Sequence, residues 1–132
     1  LICTEQLSRR LGFKVGEELI RVVRVRSLNG NARQVDHGYF LASIAKGLTP
    51  EIAADSIYGY LEHKRGVKVM ASRRTVSVEL ANDEDCSYLD LGKYNCVAVM
   101  ESQSYTSDGI LFEVTHARTH PEIIHYRVNS KR

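Results

Sequence analysis

The sequence predicts an α+β fold, an antiparallel sheet with helices packed on one side of it. Three features carry that expectation. Two pairs of β-rich segments are each joined by a tight-turn signature, Asn29-Gly30 and Ser107-Asp108-Gly109. A third long segment, 67–80, alternates residue by residue and so reads as a strand with two unlike faces. The helical stretches are few and do not alternate one for one with strands, which argues against a doubly wound parallel sheet.

In chain order, Thr4 is placed to cap a helix that runs to Leu11, with Leu7 and Leu11 on one face and Gly12 as its stop. The stretch 19–28 sets Leu and Val against Arg. Asn29-Gly30 then supplies the two positive-φ residues of a type I′ turn, and the return strand is expected over about 33–40. Segment 41–54 reads as short helical pieces with Pro50 in a first turn. Asp55 or Ser56 caps the next helix, on which Ile57, Tyr60 and Leu61 recur at helical spacing before Gly66 closes it. Within 67–80, Val76, Val78 and Leu80 share one face and Thr75, Ser77 and Glu79 the other. Asn82 or Asp83 caps a third helix whose acidic first turn, 83–85, suits the positive end of its dipole. A hairpin over 96–104 and 110–118 and a last strand over 123–128 complete the expectation.

A length of 132 residues, 43% hydrophobic and 26% charged, describes one ordinary globular domain. Eighteen basic residues against sixteen acidic ones leave a formal charge of only +2. That lacks the dense basic footprint of a nucleic-acid binder, so this segment is not expected to bind DNA itself. Cys3, Cys86 and Cys96 are odd in number and have no CxxC spacing. They read as small buried hydrophobes in a reducing cytoplasm rather than a disulfide or zinc framework. Apolar runs are short, such as 97–100, so no membrane span is expected. The chain opens at Leu1 without an initiator Met or a leader pattern and reads as a fragment of a longer protein.

Among residues that could carry chemistry, Arg24 and Arg26 come first. Residues i and i+2 of a strand project to one face, and two guanidinium forks there suit a phosphate or carboxylate. From spacing alone, a solvated strand face is the commoner explanation. Arg73-Arg74 is the weaker pair, since strand neighbours point to opposite faces. Asp55-Ser56-Ile57-Tyr58 opens a helix, where free N–H groups, a hydroxyl and the dipole favour an anion; plain capping with a packed Tyr explains the same residues. The histidines His37, His63, His116, His120 and His125 contain no HExxH, and the i,i+4 pair His116/His120 lies in a strand-like segment, so no metal site is expected. P-loop, GxGxxG and GxSxG signatures are lacking, and Cys86 has no evident base partner. No cofactor and no catalytic residue are expected.

Taken in order, Leu11-Gly12-Phe13-Lys14-Val15-Gly16-Glu17-Glu18, Arg24-Val25-Arg26 with Asn29-Gly30, Val35-Asp36-His37-Gly38-Tyr39-Phe40, Ser56-Ile57-Tyr58-Gly59-Tyr60-Leu61-Glu62, and Phe112-Glu113-Val114-Thr115 to Arg118 resemble the effector-binding UTRA domain of the GntR superfamily, HutC subfamily. Asp83-Glu84-Asp85, Leu89-Asp90-Leu91 and the Asp36…Tyr39-Phe40 segment are most similar to repressors of trehalose operons. The resemblance implies a chorismate-lyase-like fold, a homodimer, and an N-terminal winged helix-turn-helix that alone meets operator DNA and is absent from this chain. It implies a small-molecule effector, often a phosphorylated sugar. Arg24 and Arg26 would then hold the effector's anion, Ser56 and Tyr58 would complete that site, and Asp36, Glu113 and Arg118 would make polar contacts. The family commonly has an aromatic residue after the position of Arg118, where this chain has Thr119, and its closing segment reads Glu122-Ile123-Ile124. Two other readings compete with a sensing domain: an enzyme like the chorismate lyase that shares the fold, and a dimerisation module that binds no ligand. Fold likeness alone decides for neither.

Overall fold

The computed structural model describes residues 1–131. After helix α1 (Glu5–Leu11) come strands β1 (Leu19–Leu28) and β2 (Asn31–Leu41), helices α2 (Pro50–Asp55) and α3 (Ile57–His63), strand β3 (Val69–Leu80), helix α4 (Asp83–Tyr88), and strands β4 (Cys96–Thr106) and β5 (Leu111–Thr119). The five strands form one antiparallel sheet in the order β1-β2-β5-β4-β3. The α+β class read from the sequence is therefore the observed one.

Local chemistry explains the element ends. Thr4 accepts a hydrogen bond from the Leu7 N–H to start α1, and Gly12, at φ 95°, ends it. Asn29 and Gly30 both have positive φ, 52° and 82°, as a type I′ turn demands. Thr49 caps α2, with Pro50 in its first turn. Ser56 caps α3 through the Gly59 N–H. Asn82 and Asp85 form a reciprocal capping box at the start of α4.

Three expectations are corrected. The helices do not lie on one side: the Tyr58 hydroxyl of α3 meets Ser104 on one face of the sheet, whereas Arg10 of α1 meets Tyr39 and Asp85 of α4 meets Arg118 on the other. The last strand is absent. Pro121–Ile123 make a 3₁₀ turn capped by the His120 side chain, and beyond it Tyr126 and Val128 stay exposed and unpaired with the sheet. Of the three cysteines only Cys3 is buried; Cys86 is exposed on α4 and Cys96 is half-buried.

Two apolar clusters hold the sheet. The larger gathers Leu11 and Phe13 from around α1, Leu19, Phe40, Phe112 and Val114 from the strands, and Ala53, Ile57 and Leu61 from α2 and α3. The smaller joins Val35, Val97 and Val99 to Leu89 and Leu91 beyond α4. Beside it sits a buried ion pair. Asp85, 1% exposed, receives the Arg118 guanidinium as a two-pronged pair at 2.7 and 2.9 Å. Burial alone would raise its carboxyl. The Arg118 hydrogen bonds and charge, with the Asn82 N–H, outweigh that and hold it below the usual aspartate range.

A depressed carboxyl contributes stability above its unfolded value and loses it as pH falls through the folded one. Asp85→Asn should therefore cost about 3 kcal/mol near neutral pH, because it removes the buried partner of Arg118 and leaves only the more exposed Glu79. In urea melts, the gap to the parent chain should narrow as pH drops below the usual aspartate range. An equal gap at pH 3 and pH 7 would contradict the assignment.

Candidate functional site

The site begins with strand parity. In this sheet cross-strand partners share a face, so Arg24, Asp36 and Ala117 lie together, as do Arg74, Ser102 and Thr115. The turn alone would not bring Arg24 to Asp36. Next to the turn, Ser27 pairs with Ala32, but from Arg26 onward the partner is Gln34, so Arg33 is an extra residue in β2. That bulge moves the register by one and turns Asp36, rather than Val35, to the face that carries Arg24 and Arg26. The Arg33 carbonyl is held by the His120 N–H at 2.8 Å.

On this face, α2–α3 and the sheet enclose a cavity of about 480 Å³. Arg24 and Arg26 form its wall at β1 and Arg74 its wall at β3. Asp36 and Glu113 lie between them, with Asp55, Ser56 and Tyr58 above. Six of the seven predicted contact residues, Arg24, Arg26, Asp36, Ser56, Tyr58 and Glu113, line this one space. Their commitments differ. Arg24 is ion-paired with Asp36 at 3.1 Å. The Ser56 hydroxyl accepts from the Gly59 N–H at 3.0 Å, so the capping role foreseen for it is filled. The Tyr58 hydroxyl lies 3.2 Å from the Ser104 hydroxyl.

Two acceptors stand out. Asp36 Oδ1 and Glu113 Oε2 are buried without a hydrogen-bond partner. An unmet buried acceptor costs about 1–3 kcal/mol, and here two share a cavity with three guanidiniums. Burial pushes the Glu113 carboxyl above the usual carboxylate range. The Tyr58 hydroxyl, Arg24 and Arg74 pull it down, and the Asp36 charge adds to the rise. Tyr58 is pushed up to about 12, first by burial and then by Glu113, against the hydrogen bond to Ser104. It therefore remains a neutral hydroxyl.

Arg118 does not join this group. It projects from the opposite face of β5, where Asp85 and Glu79 hold its guanidinium in a structural ion pair, apart from the six residues gathered at the cavity. Arg74 is the residue that the sequence reading passed over. The objection to Arg73-Arg74 as a pair holds, since they diverge, but one of the two reaches the cavity. Thr119, in place of an aromatic residue, is 3% exposed and accepts from the Gln34 side chain at 2.9 Å. His37 and His116 lie on the opposite face with Arg10 and Arg21. Among the described residues no group of three or more His, Cys, Asp and Glu side chains is placed to hold a metal ion.

A raised carboxyl contributes stability below its unfolded value and loses it as pH climbs through the folded one. Glu113→Gln removes that loss. Without ligand, the variant should melt roughly 3 °C above the parent at pH 7.5 and no higher at pH 4. Equal melting points at both pH values would show that Glu113 carries no burial penalty.

The family model for the UTRA domain matches residues 1–125. The HTH-type transcriptional regulator TreR of Bacillus subtilis is 29% identical over 115 residues, 87% of this chain and 48% of its own length. The uncharacterised regulator YydK of the same organism is 31% identical over 88 residues, 67% of this chain and 37% of its own. The chain thus spans about half the length, or less, of these relatives. Among solved structures, the effector-binding domain of the B. subtilis trehalose repressor superposes with a TM-score of 0.87 at 26% identity, over 98% of this chain and 90% of that one. YydK superposes at 0.86 and 25% identity, over 99% and 57%. The chain belongs to the UTRA family, and its likeness is to the effector-binding domain of an HTH-type transcription regulator.

Proposed function

We propose that this chain is the sensing domain of a bacterial transcription regulator and binds a small anionic, polyhydroxylated metabolite without turning it over. A phosphorylated sugar, trehalose 6-phosphate first, is the effector. One observation carries the reading: two buried carboxylate oxygens lacking donors share a cavity with three guanidiniums. A phosphate group takes bidentate hydrogen bonds from guanidinium forks. Sugar hydroxyls donate to carboxylates, and such donors are what Asp36 Oδ1 and Glu113 Oε2 lack. The neutral Tyr58 hydroxyl supplies a further contact.

Binding selects one of two arrangements of the regulator, because a ligand shifts an equilibrium by its difference in affinity for the two states. Operator DNA is met through an N-terminal winged helix-turn-helix, in a homodimer, in the cytoplasm. TreR is named a trehalose repressor, which sets the order of ligands to try.

Trehalose 6-phosphate and glucosamine 6-phosphate are compared with trehalose and inorganic phosphate in a thermal-shift assay. A ligand held at 100 times its dissociation constant adds about 2.7 kcal/mol of stability, a rise of several degrees. The sugar phosphates should produce it and the two halves should not. Arg26→Ala is the clean variant, since Arg24 also neutralises Asp36; by calorimetry it should weaken sugar-phosphate binding at least tenfold, the loss of about 1.5–3 kcal/mol for a charged hydrogen bond. Unchanged affinity would sink the anion assignment. Pyruvate release from chorismate would favour the lyase reading instead.

A further inference from the structure

The face of the sheet opposite the cavity carries a second recess, of about 410 Å³, to which α1 and α4 both contribute. A sheet face covered by helices ordinarily buries apolar side chains, but this recess is polar. His37 and His116 are direct cross-strand partners there, and Arg21 lies across from Tyr39. Arg10 reaches in from α1. Its guanidinium is 5.8 Å from the centre of the Tyr39 ring and donates to the Tyr39 hydroxyl at 3.1 Å. Glu84 comes from α4. Its Oε1 is 3.5 Å from His37 Nε2, and the Arg21 guanidinium is 3.5 Å from Nδ1 on the other side of the same ring.

Charge in this recess is sorted rather than neutralised. Arg118 is matched to Asp85 and Glu79. Among the described residues, Arg10 and Arg21 have no carboxylate within 4 Å, and Glu84 has no Lys or Arg that near, only the His37 imidazole. His116 Nε2 is buried without a hydrogen-bond partner. Burial holds that imidazole below the usual histidine range, against the pull of Glu101, so near neutral pH the ring adds no charge. Two guanidiniums beside Tyr39 and one carboxylate beyond His37 are left without ionic partners, although a single ring separates Arg21 from Glu84.

From this arrangement we infer a second ligand site, for an acidic α-amino acid whose carboxylates take the forks of Arg10 and Arg21 and whose ammonium goes to Glu84. Guanidinium forks match carboxylates, and an ammonium brings three donors to a carboxylate that has spare lone pairs. Charge-assisted bonds of ~2.8 Å at Arg21 and at Glu84 leave room for opposite charges only a few ångström apart, as on one α-carbon. The side-chain carboxylate then falls to Arg10. Inorganic phosphate brings no ammonium and sets its own charge against Glu84. The recess and the cavity stand back to back, since His37, Tyr39 and His116 are the chain neighbours of Asp36, Phe40 and Thr115, which line the cavity. The site itself stands on the recess alone; any influence of its ligand on the cavity rests on the sensing function proposed above.

L-glutamate is the probe, titrated into the whole chain while the arginine Nε–Hε signals are followed by NMR. Those of Arg10 and Arg21 should move and saturate below ~10 mM, within reach of a weak site. By calorimetry, glutarate lacks the ammonium and L-glutamine the second carboxylate, so each should bind at least tenfold more weakly, the loss of a charged hydrogen bond. Glu84→Gln and Arg21→Gln are both at exposed positions and should keep the parent circular dichroism. Glu84→Gln should weaken L-glutamate at least tenfold and glutarate not at all, whereas Arg21→Gln should weaken both. Unmoved Arg10 and Arg21 signals, motion confined to Arg24 and Arg26, or glutarate binding as tightly as L-glutamate overturns the assignment. Thermal shifts with sugar phosphates on the Arg21→Gln chain keep the two ideas separable. A chain that takes up L-glutamate but no sugar phosphate keeps this site and loses the sensing role proposed above, and the opposite result does the reverse.

Discussion

The candidate site depends on the register between β1 and β2. A hairpin closed by Asn29-Gly30 would, if it ran on without interruption, set Arg24 against Val35. The single extra residue at Arg33 changes the parity of everything that follows it in β2. Asp36 and Phe40 turn to the face under α2 and α3, while Val35, His37 and Tyr39 turn to the other. Since β5 pairs with β2, the same residue decides that Glu113 and Thr115 enter the cavity and that Arg118 leaves it. The fixed carbonyl of Arg33, bound by His120, ties that bulge to the end of β5. One irregular residue thus sorts most of the polar side chains of three strands.

That sorting gives the two faces different jobs. On the face with α1 and α4 the buried arginine is matched within the chain, although His116 Nε2 is buried there without a hydrogen-bond partner. Arg118 is matched to Asp85 and Glu79, and the apolar cluster around Val35 and Leu89 lies beside it. The cavity face is deliberately incomplete in the physical sense: Arg26 and Arg74 have no carboxylate within 4 Å among the described residues, and two buried oxygens have no donor. Leaving groups unmet costs stability in the absence of a ligand. A bound molecule with an anionic end and several hydroxyls recovers that cost on association. The selectivity expected of such a cavity is against ligands that supply only one of the two chemistries, because they leave the other set unmet.

Much of this was legible in the chain. The caps at Thr4, Ser56 and Asn82, the turn at Asn29-Gly30 and the long alternating strands follow from local rules, and those elements are where they were expected. Arg24 and Arg26 share a face by their spacing alone. The misses have a common cause in tertiary context. The alternation of β3 carries no label saying that its apolar side faces solvent within one chain. Nothing local marks Arg33 as a bulge, so Arg118 could not be sent to the opposite face. Arg74 was set aside with Arg73 as a pair, although a single arginine suffices to make a wall. The last strand failed because Pro121 and its capping His120 favour a tight turn, which breaks the run just before the alternating Ile124, Tyr126 and Val128.

The central claim is that the guanidiniums of Arg24 and Arg26 hold the anionic end of a polyhydroxylated ligand while Arg118 serves the fold. Arginine side-chain N–H resonances, followed by NMR during titration with trehalose 6-phosphate, report on all three in one experiment. The account predicts that the Nε–Hε signals of Arg24 and Arg26 move and saturate together, whereas that of Arg118, locked on Asp85, stays in place. Motion of the Arg118 signal with Arg24 and Arg26 unmoved would contradict it.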